Sequence, residues 1–256
     1  MRSSKLKLIL GLIAFCFISK FAFADENLIL FDSANASYSK GNYEKAIDQY
    51  ESILNKNVSS AELYFNLGNA YFKINEIGLA ILNYERAKKL SPESEDLVAN
   101  LKLANQKTED KIDKAPELFL SSWKNSIVDL FSEKVWSTLC VFMFLCALIL
   151  LAIYILSERA TLKKVGFFGG SFLMILTVIT FFLAGNKYEL TVKSLNAVIT
   201  APTATITGSP NEKGTKLFIL HEGTKVTITQ EQDEWIEVKI ANGNVGWIKS
   251  TLLQKI

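Results

Sequence analysis

The rhythm of hydrophobic and polar positions changes along the chain. Between residues 27 and 112 apolar side chains recur at helical spacing, with charged residues between them. That pattern predicts a series of amphipathic helices, each burying one stripe against its neighbours. Three near-continuous apolar blocks interrupt the polar background, at Leu8–Ile18, Val135–Ser157 and Val165–Gly185. After Ala197 the period shortens to two, in the runs AVIT, TATIT, KLFIL, KVTIT, WIEVKI and VGWIKS. These read as short strands, with Asn211–Gly214 and the Asn242-Gly243 pair as turn signals, the latter closing a hairpin.

The apolar blocks set the topology. Arg2, Lys5 and Lys7 precede the first block, and Ala22-Phe23-Ala24 follows it in the small-x-small pattern of a cleavage site. Residues 1–24 are therefore read as a signal peptide, with an uncleaved anchor helix as the alternative. A lipoprotein anchor at Cys16 is disfavoured, because Phe15 fills a position that needs a small residue. The other two blocks are free of charge, and at 1.5 Å per residue about 20 residues cross the roughly 30 Å hydrocarbon core. They are expected as transmembrane helices over 135–157 and 165–185. The loop 158–164 between them carries Arg159, Lys163 and Lys164, which favours the cytoplasmic side. Residues 25–134 and 188–256 would then both face the periplasm of a bacterial inner membrane.

Composition agrees. A hydrophobic fraction of 49% beside 21% charged residues is high for a soluble protein, and the surplus sits in the blocks. The formal charge of +2 comes from 28 basic and 26 acidic residues. Four of the basic residues precede Asp25, so a chain starting there carries 24 against 26. That is no footprint for nucleic acid. All three cysteines, Cys16, Cys140 and Cys146, lie in apolar blocks, so the polar modules cannot form disulfides.

The helical region repeats with a period of 34 residues, over 27–60 and 61–94. In the second unit Tyr64, Leu67, Gly68, Tyr71, Ala80, Tyr84, Ala87 and Pro92 occupy the signature positions of a tetratricopeptide (TPR) repeat, which this unit resembles. The first is looser: Ala34, Tyr38, Gly41, Tyr43, Ala46 and Tyr50 fit, while Ser37 and Val58 depart. Residues 25–112 then form an α-helical TPR solenoid, with Glu95–Ile112 as a capping helix. Small Gly68 and Ala80 are expected to let paired helices approach. Asn35 and Asn69 stand one period apart, as do Asn66 and Asn100. With Lys73, these four asparagines are the candidate partner-binding residues of the concave face, since an amide can bond both N–H and C=O of an extended peptide. Solvated helix surface is the bland alternative. Phe31, Asp96 and Asn100 stand where a clamp for a carboxylate terminus would place cations, so an anionic terminus is not the expected ligand.

Between solenoid and spans, residues 113–134 read as a linker containing an amphipathic helix with Trp123. It would either lie on the bilayer interface or cover the last helix of the stack. Residues 188–256 resemble bacterial SH3 domains, small all-β barrels, through LHEGTKVTI, DEWIEVKI and GNVGWIKSTLL. Gly223, Trp235 and Gly246-Trp247-Ile248 carry the likeness. Such modules bind cell-wall peptides or proteins. Trp235 and Trp247 are the candidate contacts, weighed against a role in packing.

No chemistry of catalysis stands out. His221 is the single histidine, no cysteine lies in a polar module, and no phosphate loop or nucleophile elbow occurs. A protein without catalytic residues, cofactors or metal is expected, and His221 is assigned to a strand end. The order of modules, together with NLKLANQKTEDKI at Asn100–Ile112, resembles the BatE family of the aerotolerance (Bat) operon. That resemblance implies a scaffold working with Bat siblings bearing von Willebrand A domains and, indirectly, a MoxR-type ATPase, in tolerance of stress. A tether to peptidoglycan through the SH3-like module is the alternative. The fold expected is a multidomain membrane protein: TPR solenoid, two-helix transmembrane hairpin and SH3-like barrel.

Overall fold

A computed structural model describes residues 26–113, 115, 119–189 and 195–256. The expected signal peptide lies outside them. The chain divides into two compact units. One comprises Met1–Lys111, Asn196–Lys239 and Val245–Ile256, and the other Ile112–Leu195 with Ile240–Asn244.

Among the described residues the first unit opens with five helices: α1 (residues 26–39), α2 (Tyr43–Leu54), α3 (Ala61–Lys73), α4 (Ile77–Leu90) and α5 (Glu95–Lys107). Consecutive helices pack on one another from α2 to α5. Their shared core holds the residues that defined the period: Ala34, Ala46, Tyr50, Leu67, Ala80, Tyr84 and Ala87 are all buried. Burying each large side chain stabilises the fold by about 1.5–3 kcal/mol. The α3–α4 contact is tight, since a Cβ on Gly68 would stand 2.8 Å from the Tyr84 ring. Ser60 caps α3, its hydroxyl accepting from the Leu63 N–H at 3.1 Å.

The two departures in the first repeat have local solutions. Ser37, where the second repeat has Tyr71, is buried, and its hydroxyl donates to Gln49 Oε1 at 2.8 Å. At Val58, where the second repeat has Pro92, no proline is needed to stop α2. Asn57 takes a left-handed conformation (φ 57°), a common ending that asparagine tolerates.

The C-terminal part of this unit is an antiparallel sheet of seven strands: β1 (Asn196–Ile199), β2 (Thr203–Thr207), β3 (Lys216–His221), β4 (Lys225–Gln232), β5 (Trp235–Lys239), β6 (Val245–Lys249) and β7 (Leu253–Lys255). Their order is β3-β2-β6-β5-β4-β1-β7, and a 3-10 turn, Ser250–Leu252, links β6 to β7. Alternation sends Ala204, Ile206, Val226, Ile228, Ile236 and Val238 inward.

The sheet packs directly on α4. That is why α4 is apolar on more sides than a surface helix: Ile81 and Leu82 are 0% and 1% exposed. Around them Lys225 Nζ pairs with Glu85 Oε2 at 2.7 Å, and Arg86 Nη2 donates to the Lys255 carbonyl at 2.8 Å. Lys89 Nζ donates to the Ile256 oxygen at 3.1 Å. Val198 and Ile256 join the helical core itself. Segments on either side of the two apolar helices in sequence thus share one core.

The second unit holds α6 (Phe119–Val128), α7 (Glu133–Leu156) and α8 (Ala160–Tyr188). α7 and α8 pack along each other and are long and apolar enough to cross a membrane, with mean hydropathies of 3.1 and 2.2 in their most apolar stretches. Only 6% and 11% of those stretches are buried, which sets them apart from the core helices of a soluble protein. The connection is shorter than the expected 158–164 loop. α8 already begins at Ala160, because Ala160, Leu162, Lys163 and Lys164 all favour helix and no glycine or proline stops them. α6 packs against α8.

Candidate partner-binding groove

α1, α3 and α5 are the first helices of successive repeats, and they bring the four asparagines into two equivalent pairs. Asn66 Nδ2 donates to Asn35 Oδ1 at 3.0 Å, and Asn100 Nδ2 donates to Asn69 Oδ1 at 2.9 Å. Each accepting oxygen takes a second bond from a tyrosine of the intervening helix: Tyr50 to Asn35 at 2.6 Å and Tyr84 to Asn69 at 2.8 Å. Tyr50 and Tyr84 themselves stand one period apart. The sequence placed them in the core as aromatics, and the structure adds that their hydroxyls orient the groove asparagines. Their equal spacing to Asn35 and Asn69 was the signal.

Both tyrosines stay protonated throughout the physiological range, so each remains a donor. Burial pushes the Tyr50 hydroxyl up to about 12, with Tyr38 and Glu62 adding to the rise. Burial is also the main cause for Tyr84, which is raised further by Tyr38 and partly lowered by Asn100. With both lone pairs of Asn35 Oδ1 and Asn69 Oδ1 engaged, these two residues present amide donors. Asn66 and Asn100 present their carbonyl oxygens. A donor and an acceptor side by side match the N–H and C=O of an extended backbone.

Asn35, Tyr38, Ser39, Tyr50, Asn66 and Asn69 line one cavity of about 190 Å³. Cofactor and drug-sized ligands occupy roughly 300–1,000 Å³, so this volume suits a side chain or a few waters. Asn100 belongs to the second pair and Lys73 is exposed in the last turn of α3, both outside the cavity lining. The Lys107 ammonium lies 4.5 Å from the centre of the Phe72 ring, a cation–π contact.

The sheet's candidates separate. Trp235 is partly exposed at the start of β5, opposite Lys249. Trp247 is only 9% exposed, and its backbone carbonyl accepts from the Thr207 hydroxyl at 3.3 Å. A residue the sequence left aside gains a role: Asp110, just beyond α5, fastens the turn after β3. It accepts from the His221 backbone N–H at 2.7 Å and the Thr224 hydroxyl at 2.6 Å, and its Oδ1 meets His221 Nδ1 at 2.9 Å. Thr224 and His221 bond the same carboxylate rather than each other, so the serial hydroxyl–imidazole–carboxylate order of a nucleophilic triad is not what these three residues form. Burial works to raise the Asp110 carboxyl, but the bonds from His221 and Thr224 outweigh it and hold it below the usual range. The hydrogen bond to the Asp110 carboxylate in turn raises the His221 imidazole.

Comparison with known families fits this architecture. A TPR repeat model matches residues 34–75, a tetratricopeptide repeat model matches 61–94, and a bacterial SH3 domain model matches 208–254. No curated protein matches the chain. The chain therefore carries TPR repeats and a bacterial SH3 domain, modules of protein–protein interaction or cell-wall binding.

Proposed function

We propose that this protein is a non-enzymatic, membrane-anchored scaffold that holds an extended segment of a partner protein in the groove of its TPR repeats. The observation that carries the proposal is the duplicated arrangement of Asn35, Tyr50 and Asn66 with Asn69, Tyr84 and Asn100. It offers the same donor and acceptor twice, as a repeating peptide backbone requires. Lys73 would add a contact at the rim.

The proposed setting is a bacterial inner membrane spanned twice, with both polar modules in the periplasm. The core that Val198 of β1 and Ile256 share with α4 supports this, because residues before and after the hairpin then lie on one side, which an even number of crossings allows. The basic connector favours the cytoplasm for the hairpin's tip. The resemblance to BatE proteins points to von Willebrand A-domain siblings as partners, with a MoxR-type ATPase acting indirectly.

The test is photocrosslinking in intact cells from a probe at Lys73, exposed in the last turn of α3. Capture of envelope proteins with von Willebrand A domains supports the scaffold, provided Asn66→Ala with Asn100→Ala abolishes capture and leaves the fold intact. Recovery of no other protein overturns it. Partial exposure of Trp235 favours a second reading, a peptidoglycan tether. There, the intact protein would sediment with purified sacculi and lose that property on Trp235→Ala.

A further inference from the structure

The linker helix α6 has two apolar aspects that do different work. Its C-terminal end is tied to the hairpin. Val128 is fully buried, and its carbonyl, one of the helix-end acceptors that lack an intrahelical donor, accepts from the Trp136 indole N–H at 3.1 Å. The Phe131 ring meets the Trp136 ring edge-on, with centroids 5.1 Å apart. Lys187, in the last turn of α8, pairs with Asp129 at 2.7 Å.

The other aspect faces away. At 3.6 residues per turn, Trp123 and Ile127 project within about 40° of each other, while Val128 projects about 140° from Trp123. Trp123 is 60% exposed, and beyond the helix Leu130 is 66% and Phe131 45% exposed. Lys124 supplies charge to one side of this stripe. The exposed set continues into the outward side chains of α7, beginning at Val135 and running through Val141 and Phe142.

From this we infer that α6 is a second membrane contact, lying along the bilayer interface with Trp123, Leu130 and Phe131 in the boundary between headgroups and acyl chains. The inference rests on the reading of α7 and α8 as a transmembrane hairpin. The occupant is lipid, because the fastenings at Val128 and Asp129 fix the end of α6 at the level where α7 begins and α8 ends. That level is the edge of the hydrocarbon core for two spans of this length. Tryptophan beside lysine is the composition favoured at that depth. Two functions follow for the helix: it sets the depth of the hairpin, and it fixes the direction in which the chain leaves the membrane.

The test uses the full chain in vesicles, with Cys16→Ala, Cys140→Ala and Cys146→Ala removing the three native thiols. A polarity-sensitive fluorophore is attached in turn at Trp123→Cys, Phe131→Cys, Lys124→Cys and Phe142→Cys, with quenchers at shallow and deep positions on the acyl chains. The inference expects blue-shifted emission, quenched best by the shallow label, at 123 and 131, unshifted emission at 124, and deep quenching at 142. Deep quenching at 142 with unshifted emission at 123 and 131 overturns the interfacial helix while leaving the hairpin standing. Unquenched emission at all four positions overturns both.

Discussion

Asn69 repeats the bonding of Asn35: each accepts on one side-chain oxygen from a tyrosine of the following helix and from an asparagine of the next repeat. The two residues are therefore not interchangeable with Asn66 and Asn100, which donate into the pair.

Substitution separates these roles. Asn69→Ala strips the buried Tyr84 hydroxyl of its acceptor and should destabilise the protein by about 1–3 kcal/mol, the cost of an unsatisfied buried polar group. Asn66→Ala removes a donor from a half-exposed site and should cost less, about 0.5–1.5 kcal/mol, while weakening partner capture. Denaturant titration beside crosslinking yield checks both. Equal stability losses would contradict the assignment.

Gly223 has a backbone that L residues rarely adopt (φ 83°), and a Cβ there would stand 2.7 Å from Thr108 and 2.8 Å from Ile81. Gly223→Ala should therefore loosen the sheet from α4 and α5. Strain and overpacking at about 1–3 kcal/mol each make a combined loss of several kcal/mol the expected result. Limited proteolysis would show it as new cleavage between Asn105 and Ile112.

The Asp110–His221 contact should depend on pH in both directions. His221 is raised, so its contribution is complete below its unfolded value of about 6.5 and is lost as pH climbs through the higher folded value. Asp110 is lowered, so its contribution is complete above its unfolded value of about 3.9 and is lost as pH falls through the lower folded one. Between those limits the pair is strongest. As the single histidine, His221 gives one imidazole signal in a proton NMR titration. Asp110→Asn should move that titration to lower pH. An unmoved midpoint would refute the contact.

The two tryptophans of the sheet should respond oppositely. Trp247→Ala empties a buried position and is expected to cost about 3–5 kcal/mol. Trp235→Ala, at a partly exposed site, should leave thermal unfolding within a few degrees of the parent. If Trp235→Ala unfolds the module, its candidacy as a ligand contact falls.

Much of this architecture was legible because its periods are strong. Eight positions in register marked the second repeat, and alternating Val226, Ile228, Ile236 and Val238 marked the strands. The asparagines were legible as positions, but not as a network, because a period does not say which atom donates to which. The contact of the sheet with α4 was illegible. Glu85, Arg86 and Lys89 look like any solvated helix face, and their partners Lys225, Lys255 and Ile256 lie more than 130 residues away. The start of α8 at Ala160 was not legible, because charged Lys163 and Lys164 interrupt the apolar run, although lysine is a good helix former.

The seat of the sheet on α4 also bears on how the protein is made. Synthesis at about 5–20 residues per second leaves α4 complete many seconds before β1 and β7 exist, with α7 and α8 made in between. During that interval Ile81 lacks the contact that Gly223 makes with it. A chain halted after α8 would therefore leave open the side of α4 that the sheet covers in the finished protein.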